Sequence, residues 1–130
     1  MKGIYLLIIQ VGEDFAVDVG ALCEIAFKKG LYAYVGSAQN NLEKRIFRHF
    51  RKEKKLFWHI DYFLKSENSK IVQVLFRDAP KAEECTLAGE VEKLGKATEG
   101  FGCSDCHCKS HLFRIDSYDF LLGKMHKMKM

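Results

Sequence analysis

Residues 32–49 read YAYVGSAQNNLEKRIFRH, and their character changes halfway. Tyr32 to Val35 joins aromatic and β-branched residues, the composition of a strand. Gly36 predicts a break there, where the backbone could turn. Either Asn40 or Asn41 can cap a helix running to about Lys52. In that helix Leu42, Ile46, Phe47 and Phe50 are expected on one face, docked on a sheet. Arg45, His49 and Lys52 recur at i, i+4 and i+7 along its border, with Arg48 beside them. A strand that hands over to a cation-bearing helix is the joint around which the chain is organised.

Outward from this joint, Ile4 to Val11 is almost wholly apolar, which predicts a strand buried on both faces. Residues 12–14 suit a turn, and Phe15 to Val19 alternates well enough for a partner strand. Residues 21–29 fit a short helix or an irregular hairpin equally. Phe57 to Leu64 reads as a second helix with Trp58, Asp61 and Tyr62 on one side, and Ile71 to Phe76 as a strand. Asp78 can cap a helix that holds Pro80 in its first turn and continues to about Leu94. Beyond the glycines near residue 100 come a cysteine-rich loop, a short strand at His111 to Ile115, and a short helix or tail. The sum is an α+β fold, a small and mainly antiparallel central sheet flanked by helices. It reads as one domain over residues 1–130, with its core at about 3–95 and the loop and C-terminal segment at 100–130.

Composition agrees with one globular unit. A chain of 130 residues supports one core and buries about two-thirds of its unfolded surface. Apolar residues make up 48% and charged residues 29%, and there is one proline and no Gly/Ser-rich run or repeat. The formal net charge of +4 permits an anionic partner without demanding one. The apolar start is short, is followed at once by Glu13 and Asp14, and has no small-residue cleavage site, unlike a signal peptide. Nothing is long enough to span a membrane. A cytoplasmic setting follows, in which five cysteines are expected as thiols or metal ligands, an odd number being unable to pair completely.

One local conflict stands out on the helix expected after Pro80. Its core stripe should be Leu87, Ala88 and Val91, and Glu84 lies on that stripe, whereas Glu83, Glu90 and Glu92 point away. A carboxylate drawn into an apolar face calls for a cationic partner, which is expected to be an arginine, a lysine or a metal ion. Tyr5, Tyr32 and Tyr34 fall on otherwise aliphatic strands, where a tyrosine is ordinarily core with its hydroxyl at the rim.

Taken together these residues form a pattern. Gly3-Ile4-Tyr5 is GIY, Tyr34-Val35-Gly36 is YVG, Arg45 and His49 follow as R-x-x-x-H, and Glu84 lies on a later helix. The chain resembles the GIY-YIG nuclease superfamily over residues 3–91. The segments YAYVGSA and WHIDY and the tail FGCSDCHCKSHLF are similar to a mainly archaeal branch, whose members occur alone or fused to an endonuclease-III-type base-excision glycosylase.

The resemblance implies a divalent-metal-dependent DNA endonuclease acting in repair or processing, with DNA as partner and room for a repair-protein partner. It implies catalytic roles for Tyr5, Tyr34, Arg45, His49 and Glu84. Glu84 would hold Mg²⁺ or Mn²⁺, Arg45 would offer a planar fork to phosphoryl oxygens, and Tyr5 would activate or orient water with help from His49. Proximity to Arg45 and the metal would lower the tyrosine pKa from its usual value of about 10. Gly36 and Ser37 would pass beneath a phosphate. Arg48, Arg51, Lys52, Lys54 and Lys55, with Trp58 after them, form the dense basic run that could grip a duplex without reading sequence. The stretch between Tyr5 and Tyr34 is longer than is usual in the superfamily, which implies an inserted strand or loop.

Cys103, Cys106, Cys108 and His111 make a second constellation, which Cys85 could join from the glutamate helix. It reads first as buried thiols in a hydrogen-bonded loop, with a structural Zn²⁺ or a Cys103/Cys106 redox pair as alternatives. Two other classes compete with the enzyme: a non-catalytic nucleic-acid-binding module of the same fold, and a zinc-stabilised interaction domain. Substrate structure and oligomeric state have no signature in the sequence.

Overall fold

The computed structural model describes residues 2–102 and 109–128. The chain runs β1 (Gly3–Val11), β2 (Phe15–Asp18), a 3₁₀ turn (Gly20–Leu22), β3 (Glu24–Phe27), β4 (Gly30–Ala38), α1 (Leu42–Phe50) and α2 (His59–Leu64). It continues with β5 (Ser69–Arg77), α3 (Ala82–Glu92), β6 (Gly95–Ala97), β7 (Leu112–Ile115), a 3₁₀ turn (Asp119–Gly123) and β8 (His126–Lys127). Among the described residues six strands form one antiparallel sheet in the order β6-β7-β4-β1-β5-β8, with β2 and β3 as a separate hairpin. The expected α+β architecture is therefore the observed one.

β1 is the central strand and its composition explains why. Tyr5, Leu7, Ile9 and Val11 pack into one apolar cluster with Leu42 and Ile46 of α1 and Ile60 and Phe63 of α2. Ile4, Leu6 and Ile8 pack into another with Leu87, Ala88 and Val91 of α3. Alternate side chains of one strand thus anchor helices on both faces, so a continuous apolar run is required.

Several local expectations are corrected. β2 pairs with β3 instead of β1, because both edges of β1 are occupied by β4 and β5. The hairpin that results is the insertion between Tyr5 and Tyr34. β4 does not break at Gly36 but runs on to Ala38, and Gly36 is not among the positive-φ glycines. In α1 the buried positions are Leu42, Ile46 and His49, while Phe47 is 64% and Phe50 40% exposed. Leu42, Ile46 and His49 follow the i, i+4, i+7 line, and the two phenylalanines fall off it. Asn41 is the cap, its side chain accepting from the Lys44 amide at 3.0 Å. α3 begins at Ala82 and has no side-chain cap, so Asp78 does not cap it. Pro80 disfavours helical dihedrals at Ala79, which keeps the helix from reaching back to Asp78. β6 and β8 are short edge strands with no signature in the sequence.

Candidate functional site

The register of β1 against β4 brings Tyr5 opposite Gly36 and Leu7 opposite Tyr34. The Tyr5 ring lies directly over Gly36, where a Cβ would stand 2.5 Å from Cζ and 2.6 Å from the hydroxyl. Gly36 serves to admit the tyrosine ring, not to turn the chain. Gly36→Ala is expected to displace the hydroxyl and lower stability by about 1–3 kcal/mol, since Tyr5 is fully enclosed and cannot swing aside. Thermal unfolding of Gly36→Ala with and without Tyr5→Phe tests this, because removing the hydroxyl relieves one of the close contacts and should recover part of the loss.

His49 projects from α1 to the same spot, its Nε2 2.6 Å from the Tyr5 hydroxyl. It is 2% exposed, so it occupies a core position and not the helix border. Its Nδ1 is buried and has no hydrogen-bond partner among the described residues. Burial, reinforced by the nearby Lys54, lowers the His49 pKa to about 3. Burial also raises the Tyr5 pKa, outweighing Arg45, which hydrogen-bonds the hydroxyl and favours the phenolate. The protein by itself therefore does not lower the Tyr5 pKa as expected; both partners rest neutral. Tyr34 meets the His49 ring nearly edge-on at 6.1 Å, and its pKa is raised by burial as well.

The histidine ties folding to pH. Folded His49 stays neutral down to about pH 3, whereas an unfolded histidine takes up a proton near 6.5. Its contribution is complete above pH 6.5 and is lost as pH falls toward 3, on the order of 4 kcal/mol in all. Asp61, whose pKa is lowered, adds a loss of the same sign below its ordinary value of 3.8. A wild-type melting temperature that drops between pH 6 and 4, with a shallower drop in His49→Gln, is the expected result of a pH series.

Arg45 donates through Nη1 to the Ser37 carbonyl at 3.0 Å, and its guanidinium lies 4.4 Å over the Trp58 ring. Glu84 arrives from the other face of the sheet. β7 pairs with β4 only over Leu31–Tyr34, and beyond that point His111 fills the margin of β4. His111 Nδ1 lies 2.8 Å from Glu84 Oε2 and 3.2 Å from the Val35 carbonyl oxygen. The Glu84 carboxyl is pushed up by burial, but hydrogen bonds from His111 and Ser37 outweigh this and hold its pKa below the usual range. Where an arginine, a lysine or a metal ion was expected, the side chain that meets Glu84 is a histidine. Ser37 binds Arg45 through its carbonyl and Glu84 through its hydroxyl, coupling two groups on opposite faces.

Tyr5, Tyr34, Arg45 and Glu84 all line one cleft of about 780 Å³, with Trp58 and Lys81 on its walls. The inserted hairpin contributes Gly20 and Ala21 to it. The structure therefore brings Tyr5, Tyr34, Arg45 and Glu84 of the sequence reading to one cleft, and His49 lies beneath Tyr5. That reading missed the His111–Glu84 link and the role of Ser37, whose partners are distant in sequence.

The basic run is divided. Arg48 forms a two-point salt bridge with fully buried Asp61, at 2.9 and 3.0 Å, and also lies 4.4 Å over Trp58. Lys54 donates to the carbonyls of Arg48 and His49, closing the C-terminus of α1. Lys52 donates to the carbonyls of Leu64, Ser66 and Ser69. Arg51 and Lys55 are exposed. Three of the five cations thus hold the fold, and Trp58 is covered by two guanidiniums.

Cys103, Cys106 and Cys108 lie outside the described residues. Cys85 is disulfide-bonded, which corrects the expectation of thiols at that position; an odd count leaves one cysteine over without forbidding a pair. Cys23 is free and exposed. Among the described residues no group of three or more His, Cys, Asp and Glu is placed to hold a metal ion. No described helix is long and apolar enough to cross a membrane.

A family described as domain of unknown function DUF123 matches residues 4–129. No curated protein and no solved structure matches the chain. With nearly every residue from the GIY tripeptide to the last strand inside that match, the chain belongs to the DUF123 family, which is GIY-YIG-like.

Proposed function

We propose that this chain is a divalent-metal-dependent DNA endonuclease. The observation that carries the reading is the convergence of Tyr5, Arg45 and Glu84, from three elements and both faces of the sheet, on one cleft, with His49 against the Tyr5 hydroxyl beneath it. A structural role for each residue alone does not require them to meet.

Glu84 fits a hard cation. Its carboxyl is held ionised, lines the cleft and is 17% exposed, and His111 occupies one side of Oε2. One carboxylate with water filling the remaining positions is an ordinary Mg²⁺ or Mn²⁺ arrangement. The chemistry supplied there, once the ion is bound, is Lewis acidity toward the phosphoryl and leaving oxygens. Arg45 has five N–H groups, so donors are left for a non-bridging oxygen after Ser37 and Tyr5 are served. The attacking water forms its bond to phosphorus as its proton passes to the Tyr5 oxygen and the Tyr5 proton passes to His49 Nε2. The bond from phosphorus to the leaving oxygen breaks with its electron pair going to that oxygen, which takes up a proton from solvent. Because neither group is charged at rest, this is a concerted transfer along the 2.6 Å hydrogen bond instead of attack aided by a standing phenolate.

The finer assignment belongs to the same proposal. The tail motif and the WHIDY segment support the mainly archaeal branch that includes fusions to a base-excision glycosylase. A cytoplasmic repair or processing role, beside a repair-protein partner, follows from that kinship. The test is cleavage of labelled branched, nicked, abasic and plain duplexes with Mg²⁺ or Mn²⁺, wild type beside Glu84→Gln and Tyr5→Phe. Cutting abolished by both substitutions supports the reading. DNA binding without cutting, unchanged by either substitution, replaces it with a binding module.

A further inference from the structure

We propose that Phe57 and His59 form a subsite for an unpaired nucleobase, so that the cleft takes DNA with a single-stranded or extruded nucleotide beside the cut in preference to uninterrupted duplex. This rests on the nuclease reading and names its substrate class.

Phe57 is 73% exposed, more than any other large apolar side chain among the described residues. It lines the same cleft as Tyr5, Arg45 and Glu84. The ring is on a fixed mount. The Phe57 amide donates to Asp61 Oδ2 at 2.9 Å, and the ring meets Trp58 at 5.6 Å and 85°, an edge-to-face contact that leaves most of it uncovered. Trp58 is in turn held against the guanidiniums of Arg45 and Arg48. A rigid, water-facing aromatic ring beside a phosphodiester site is a stacking platform that has little ordering to lose on binding.

His59 adds a polar handle on the same wall. Its Nδ1 accepts the Gly102 amide at 2.8 Å, so in the neutral ring the proton is on Nε2. Nε2 is not among the buried unpartnered atoms and has no partner among the described residues, so its N–H is open to the cleft that His59 lines. Burial lowers the His59 pKa, which favours this neutral form. A neutral donor beside an apolar ring matches the acceptor edge and face of a base. Arg48, which lies over the neighbouring Trp58 ring, is engaged by Asp61. In an intact duplex both faces of every base are covered, so only an unpaired or extruded base can use the platform.

The experiment uses the full chain as Glu84→Gln, to separate binding from turnover. A plain duplex is compared with the same duplex bearing 2-aminopurine in a single-stranded branch. Anisotropy reads affinity and 2-aminopurine quenching reads stacking. The expected result is tighter binding and quenching of the branched DNA. Adding Phe57→Ala removes the quenching and weakens branched binding about tenfold while leaving the duplex unchanged. Phe57→Trp restores both readouts. Equal effects of Phe57→Ala on both DNAs, or quenching that survives it, overturn the subsite while leaving cleavage by the wild type intact. Binding of neither DNA, with no cutting by the wild type, removes the nuclease reading and the subsite together. A Phe57→Ala protein that binds and quenches normally but loses a protein partner assigns the ring to protein contact and overturns the proposal.

Discussion

Glu84→Gln is expected to lower metal-dependent cleavage about a thousandfold while leaving the fold in place. The amide keeps an acceptor for His111 Nδ1–H, so the contact that seats residue 84 survives the change. What disappears is the negative charge, which the His111 and Ser37 hydrogen bonds maintain well into acidic solution. A metal ligand that stabilises charge in the transition state contributes several kcal/mol, and each 1.4 kcal/mol is about a factor of ten in rate. Titration with Mn²⁺ should show weakened binding, and circular dichroism and the melting temperature should match wild type. Retained activity with Mn²⁺ affinity unchanged would place the metal on other groups.

The largest stability effect is expected at Arg48, which the sequence had suggested for phosphate contact. Arg48→Met leaves the Asp61 carboxylate, 0% exposed, without its two-point partner. The amides of Phe57 and Trp58 still donate to it at 2.9 Å, and Lys54 stands 3.9 Å away, but neither replaces the guanidinium. Stranding a buried charge costs about 3–5 kcal/mol. For a domain of this size that is a fall in melting temperature on the order of 10 °C. Asp61→Asn added to Arg48→Met should recover much of the loss, since no charge is then stranded. If Arg48→Met instead melts like wild type and loses DNA affinity, the arginine belongs to the substrate.

The two substitutions mark what could be read before the fold was known. Glu84 was legible because a carboxylate on an apolar helical stripe conflicts with its neighbours, and the conflict is visible at a spacing of three and four residues. Arg48 was not, because its partner lies thirteen residues on, across a loop. A cation near other cations looks solvated until a buried carboxylate is placed beside it. The Trp58-x-x-Asp61 spacing was the available signal, since an acidic residue three positions into a helix commonly takes the amide that precedes it. The same limit explains Phe47 and His49. By hydrophobicity the phenylalanine should be buried, yet the helix line from Leu42 and Ile46 leads to the histidine, and Tyr5 supplies its polar contact.

Composition and periodicity determined the elements: a strand apolar on both faces must lie at the centre of a sheet, and a helix with an apolar stripe must cover it. The order of the motifs along the chain determined the family. Pairing partners were decided only in three dimensions, because β2 found both edges of β1 taken and turned to β3. So was the protonation of the site. Tyr5 and His49 carry ordinary side chains, and it is their enclosure between sheet and helix, which no local stretch of sequence encodes, that holds both neutral.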